Sequence, residues 1–209
     1  MRAGQRRFDH PWGQYLLVAC ACCAVAAGIL GNVLRRPIDH APGALVRREP
    51  LQSAQLDSRA FAFGDYALTP RARFDVEARV LSTERYRFDA GAGLAPFDFA
   101  LGWGPMSDSA VIDRLEIRQS SRFYTLYPVA ESTDVARLLR YSSNMHLIPA
   151  NAAIADLLQR VRVGHVVRLE GLLVDADRSD GYGWRTSLSR EDSGAGACEL
   201  VYVERVSFW

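Results

Sequence analysis

Lysine is missing from this chain; all 25 basic residues are arginine. No phosphate-loop lysine, Schiff-base lysine or lysine general base is therefore available. An excess of one charge sign is lacking too. The 24 acidic residues offset the arginines to a net charge of +1, which leaves no field to hold nucleic acid. Cysteine is scarce. Cys20, Cys22 and Cys23 share one apolar stretch, and Cys198 is the sole cysteine beyond it, so no disulfide is expected within the rest of the chain. The Cys20-x-Cys22-Cys23 spacing suggests a metal, but thiolates are costly to form in hydrocarbon and cysteine packs well as a small hydrophobe. Neither a metal nor a cofactor is expected. Internal repeats and low-complexity tracts are absent.

Long apolar runs are absent with one exception, Tyr15 to Leu34, which reads YLLVACACCAVAAGILGNVL. These twenty residues carry no charge and are flanked by Arg6–Arg7 and Arg35–Arg36. A bilayer core about 30 Å thick is crossed by roughly 20 apolar residues in a helix, so a single transmembrane helix is expected over 15–34, with the lipid bilayer as its partner. A cleavable signal ending at Ala24-Val25-Ala26 is the alternative. A lipoprotein box at Leu17–Cys20 is rejected, because only about five apolar residues precede the cysteine and signal cores run to about 7–15. A buried core helix is disfavoured by the lack of any polar face. Arg2, Arg6 and Arg7 on the leading side slightly outweigh the following flank, which puts residues 1–14 in the cytoplasm and the C-terminal domain outside it. The expected address is a bacterial inner membrane.

Residues 35–59 mix Pro, Ala, Arg and Gln without a period and read as a juxtamembrane linker. Residues 60–209 suit one domain with a real core. Strands dominate it. Phe74 to Val80 alternates apolar and charged, Tyr86 and Phe88 open a second strand, and Leu94 to Trp103 ends in the Gly102–Pro105 turn. Leu115 to Val129 reads as a third strand bent at Ser120-Ser121. Ser132 or Thr133 caps a short helix through Arg140. Asn151 caps a better one, with Ile154, Leu157, Leu158 and Val161 on one face. His165–Ala176, Tyr182–Ser189 and Cys198–Phe208 follow as strands. Strands, a helix, then more strands is the order of a small closed or partly closed OB-like barrel, with Gly171 at a sharp bend. The resulting fold class is a transmembrane helix plus a β-rich α+β domain. A split α+β sheet is the alternative.

At Asn144–Asn151 (NMHLIPAN) and Gly196–Glu204 (GACELVYVE) the chain resembles a family of uncharacterised bacterial proteins with one N-terminal span and a soluble C-terminal domain. The likeness runs from about Tyr66 to Arg205. It implies the membrane address and no particular chemistry.

Chemistry has few candidates. His146, beside Asn144 in an expected loop before the Asn151 helix, suits a general base, a ligand or a proton-linked contact. The competing reading is that both satisfy backbone groups. No second histidine or cysteine stands at ligand spacing from His146. His165 reads as an edge residue. Asp175-x-Asp177-x-x-Asp180 fails as a calcium loop, because positions 6 and 12 are Asp180 and Thr186. Ser187 and Ser189 lie in no Gly-x-Ser-x-Gly elbow. Trp103, Trp184 and Tyr124 suit either a binding groove or the core, the core being favoured for Tyr124. Arg190 is a further binding candidate and an ion-pair partner for Asp192. Two classes remain. The first is a membrane-tethered extracytoplasmic binding or scaffolding domain for an envelope protein or component. The second is a membrane-anchored envelope hydrolase using His146 with Asp192 or Glu199.

Overall fold

The computed structural model describes residues 15, 18–20, 22–23, 36–54, 59–189 and 197–209. The chain divides into two units, 1–36 and 37–209. In the first, residues 15, 18–20 and 22–23 are helical and Arg36 is not. Among the described residues no helix is long and apolar enough to cross a membrane. Most of the expected span, 15–34, lies outside them.

The second unit is a β-rich α+β domain built around one sheet. Its strands are β1 (Leu51–Ala54), β2 (Phe61–Phe63), β3 (Tyr66–Arg85), β4 (Phe97–Gly102), β5 (Leu115–Ser120), β6 (Phe123–Pro128), β7 (Ser142–Pro149), β8 (Val166–Arg178), β9 (Gly183–Trp184) and β10 (Glu199–Phe208). Among the described residues, three short α-helices and a 3₁₀ turn (Gly104–Ser107) join them: α1 (Ser109–Ile112), α2 (Val135–Leu139) and α3 (Ala152–Arg160). The strand bonding closes on itself through β3, β4, β7, β10 and β8. Within this ring only β7 and β10 run parallel. Strands β1, β2 and β9 extend it, and β5 with β6 makes a separate hairpin.

Alternation in β3 explains the ring. Phe74, Val76, Ala78 and Val80 face the core while Asp75 and Glu77 face outward. The strand is long enough to pair with β8 and then with β4, because register shifts at Pro70/Ala72 and Val80/Ser82 bend it. Pro70, which has no N–H to give a ladder, sits at the first shift. Phe97, Phe99 and Leu101 of β4, Met145 and Leu147 of β7, and Val201 and Val203 of β10 complete the inner face. Helix α3 packs Ile154 and Leu158 against this cluster, and Asn151 Oδ1 caps it by accepting from the Ile154 N–H at 3.1 Å. Gly171 is required in β8, since a Cβ there would stand 1.9 Å from the Tyr202 carbonyl oxygen.

Several segments differ from the sequence reading. Residues 37–54, read as linker, are tied to the domain. The Ile38 N–H donates to Val163 O, Ser107 Oγ bonds both the N–H and the C=O of Val46, and β1 pairs with β3. These backbone groups find partners that periodicity does not reveal. Tyr86 and Phe88 lie in the turn after β3, not in a strand. The bent third strand is a two-strand hairpin, because Ser121 (φ 51°) and Arg122 (φ 71°) both take the left-handed conformation that a tight two-residue turn needs. Asp134, not Ser132 or Thr133, caps α2. The segment around His146, expected as a loop, is strand β7, buried along nearly its whole length between β4 and β10. The Tyr182–Ser189 strand shrinks to Gly183–Trp184.

Candidate functional site

Alternation sends every second residue of β4, β7 and β10 away from the core, and that outer face carries the chemistry. Asp98 and His146 stand directly opposite each other in β4 and β7, as do Ala100 and Asn144. Asp98 is fully buried and His146 is 3% exposed. Nδ1 of His146 lies 2.9 Å from Asp98 Oδ1, yet it is not aligned as a hydrogen bond. The indole of Trp184 closes over the imidazole, with centroids 4.6 Å apart.

The hairpin tip supplies the counter-charge. Arg122 Nη1 donates to Asp98 Oδ1 at 2.8 Å and to Ala95 O at 2.7 Å. Its Nε and Nη2 clasp both oxygens of Asp89 at 2.8 Å each. The guanidinium also lies 3.8 Å from the centroid of the Tyr86 ring. Arg122's left-handed backbone is held at both ends: its N–H donates to Tyr86 Oη at 2.8 Å, and its C=O accepts from Asn144 Nδ2 at 3.0 Å. Asn144 Oδ1 in turn accepts from Gln119 Nε2 at 2.7 Å. Burial pulls the Arg122 guanidinium down, but the bonds to Asp89 and Asp98 carry it above its ordinary value. The same bond from Arg122 holds the Asp89 carboxyl below the usual carboxylate range.

Beside this sealed layer lies a cavity of about 240 Å³ between β6, α2 and the first residues of β7 and β10. Phe123, Tyr124, Leu126, Val135 and Leu139 form much of its wall, and Ser142, Ser143, Asn144 and Glu199 give it polar groups. Glu199 is 3% exposed and accepts a bond from Ser143 Oγ. Tyr124 Oη shares a 2.9 Å bond with Ser142 Oγ, and burial pushes the phenol up to about 12, so it stays neutral. Trp103 also lines the cavity. Its side chain is 1% exposed, and its Nε1–H meets no partner among the described residues.

The structure brings Asn144, His146 and Trp184 into one layer and places Trp103 at the adjoining cavity; Arg190 and Asp192 lie outside the described residues. Among the described residues the carboxylate beside His146 is Asp98, while Glu199 bonds Ser143. His165, expected at an edge, is buried and accepts the Arg162 N–H at its Nδ1. Asp175 bonds Arg71 and accepts the Thr186 N–H, and no metal cluster exists among the described residues. Asp98 and Arg122 were missed. The available signal was a single carboxylate in the apolar run Phe97–Leu101, a residue that must find a cation or hydrogen bonds once buried. No family model, curated protein or solved structure matches the chain.

Proposed function

We propose that this protein is a single-pass, membrane-tethered binding domain held outside the cytoplasm of a bacterial cell, on an OB-like barrel. The uncharged run at 15–34 and its flanking arginines support the tether, as does the resemblance to the bacterial single-span family. The closed strand path, with its one parallel pair and α3 between β7 and β8, supports the OB-like reading over a split sheet. One observation carries binding over catalysis. The cavity is concave, largely apolar and edged by a few polar groups, while His146 is sealed behind Trp184 and is not among its lining residues. The Asp98–His146 pair, with Nδ1 2.9 Å from a carboxylate oxygen, favours the hydrolase as the second reading, in which the contact would have to align before Asp98 could orient the imidazole.

The test is thermal unfolding of the full chain in detergent against a fragment library. A compound seated in the cavity raises the midpoint, the stabilisation reaching about 2.7 kcal/mol at a hundred times its Kd. Leu139→Trp, which places a larger ring at the cavity rim, should abolish the shift; His146→Ala should leave it. No stabilising compound, or shifts indifferent to Leu139→Trp, would sink the binding reading. Ester turnover lost in His146→Ala would establish the hydrolase. Release by alkaline carbonate, or protection from protease in spheroplasts, would overturn the tether or its orientation.

A further inference from the structure

We infer that the cup filled by Arg122 is a binding site for a guanidinium group, one that an arginine of a partner protein takes when the hairpin tip lifts. The site is separate from the cavity and does not depend on the binding reading. Its floor is the fully buried Asp98 carboxylate and the Ala95 carbonyl, its rim is Asp89, and its walls are rings. The guanidinium carbon lies 3.8 Å from the Tyr86 centroid and 5.4 Å from that of Trp184. Two carboxylates, a carbonyl and two aromatic faces suit a planar cation with five donors in its plane; an ammonium offers neither the fork nor the stacking surface. The cup is reachable, since the side chains of Arg122 and Asp89 are 15% and 37% exposed. Arg122 also fills it incompletely. Its Nη1 serves Asp98 Oδ1 and Ala95 O, while Asp98 Oδ2, on the same buried carboxylate, meets no partner. A guanidinium free of this backbone can meet a carboxylate with two parallel bonds. The occupant is strained as well. Ser121 and Arg122 are both left-handed, neither is glycine or asparagine, and Tyr86 Oη and Asn144 Nδ2 hold Arg122 there. The hairpin shares no ladder with the ring, so its tip can lift without breaking the sheet. Phe88 beside Asp89 and Phe123 beside Arg122 are both exposed, and aromatic rings of this kind suit the segment that carries the incoming arginine.

The probe is N-acetyl-argininamide, with N-acetyl-lysinamide as the ammonium control, added to the full chain in detergent with ¹⁵N at its tryptophan indoles. The Trp184 signal, assigned by its loss in Trp184→Phe, reports on the cup. In Arg122→Ala the arginine probe should return that signal saturably towards its wild-type position, binding at least about tenfold more tightly than the lysine probe. Wild type should bind the arginine probe at least about tenfold more weakly than Arg122→Ala, because its own Arg122 holds the cup most of the time. Tyr86→Phe, which keeps the ring but removes the oxygen that accepts the Arg122 N–H, should fall between the two. Leu139→Trp, at the cavity rim, should change none of this. A folded Arg122→Ala whose signal the arginine probe leaves in place overturns the site, and equal binding of the lysine probe overturns the guanidinium class. Wild type and Tyr86→Phe both unmoved would make Arg122 a permanent occupant and overturn the exchange. If Arg122→Ala does not fold, those two forms decide alone. Wild type binding as tightly as Arg122→Ala, or binding lost in Leu139→Trp, would put the probe outside the cup and overturn the inference while leaving the binding reading intact.

Discussion

Arg122→Met isolates the charge pair at the centre of the polar layer. Methionine keeps much of the aliphatic stem but removes the guanidinium, and with it the stacking on Tyr86. Asp98, with no exposed surface, would then lose its charge-assisted hydrogen bond, and among the described residues the polar group left closest to it is the misaligned His146. Breaking a buried ion pair from one side costs about 3–5 kcal/mol. The lost bond to Asp89 adds at most about 1 kcal/mol, because that carboxylate is more than one-third exposed. In a domain of this size each kcal/mol moves the midpoint by roughly 2–4 °C, so a total loss of about 3–6 kcal/mol should lower the melting point by some 6–24 °C. Asp98→Asn is milder, about 1–3 kcal/mol, since Arg122 keeps Asp89 and the Ala95 carbonyl. The double variant should cost less than the sum, with a coupling of about 1–3 kcal/mol. Thermal and urea unfolding followed by circular dichroism would measure the cycle. An Arg122→Met loss below about 1 kcal/mol, the range of surface pairs, or strict additivity would refute the reasoning.

Three further outcomes follow from other parts of the domain. His165 is held below its ordinary value by burial, then by the charges of Arg162 and His40. The unfolded chain therefore takes up that proton first, so stability is complete above the unfolded value of about 6.5 and falls as pH drops through it. Unfolding midpoints between pH 8 and 5 should decline, and His165→Gln should flatten the decline. A fall of the same size in the variant would assign it to other groups. Gly171→Ala should cost about 3 kcal/mol or more, because the new methyl would meet backbone, the Tyr202 carbonyl and the Glu204 nitrogen, rather than a side chain that could move; near-wild-type unfolding would show that the β8–β10 approach is looser. Asn151→Ala should cost about 1 kcal/mol, with most of it recovered in Asn151→Asp, as equilibrium unfolding would measure.

How much of this was legible depended on whether a signal was local. The β-rich character, the Asn151 cap and the inward face of β3 were readable because each follows from spacing of two or three to four residues. The β7 strand was not. Its run NMHLIP is buried on both faces, so it lacks the alternation that marks a half-wet strand, and the Asn and Pro within it suggest a loop. The hairpin turn was hidden for a different reason: Ser121 and Arg122 carry none of the Asn-Gly signature of such turns, and their conformation is held by Tyr86 and Asn144.

The site itself was legible in halves. Asn144 and His146 are two residues apart, so once β7 is a strand they must share a face, and the sequence places both beside each other. Their partners could not be read in the same way. Arg122 reaches Asp98 across 24 residues and Asp89 across 33, and the opposition of Asp98 to His146 is a register that only pairing of β4 with β7 sets. The closed ring supplies that register and divides the labour of each wall strand. Inward residues such as Phe97, Phe99, Met145 and Leu147 fill the core and resist change, because truncating them opens cavities. Outward residues are relieved of that packing role and can hold polar groups, provided something covers them. The hairpin tip and Trp184 are that cover. Because Arg122 both caps the layer and fixes the hairpin whose β6 strand walls the cavity, the polar layer acts as the frame of that wall; loosening it should widen the cavity before it unfolds the domain.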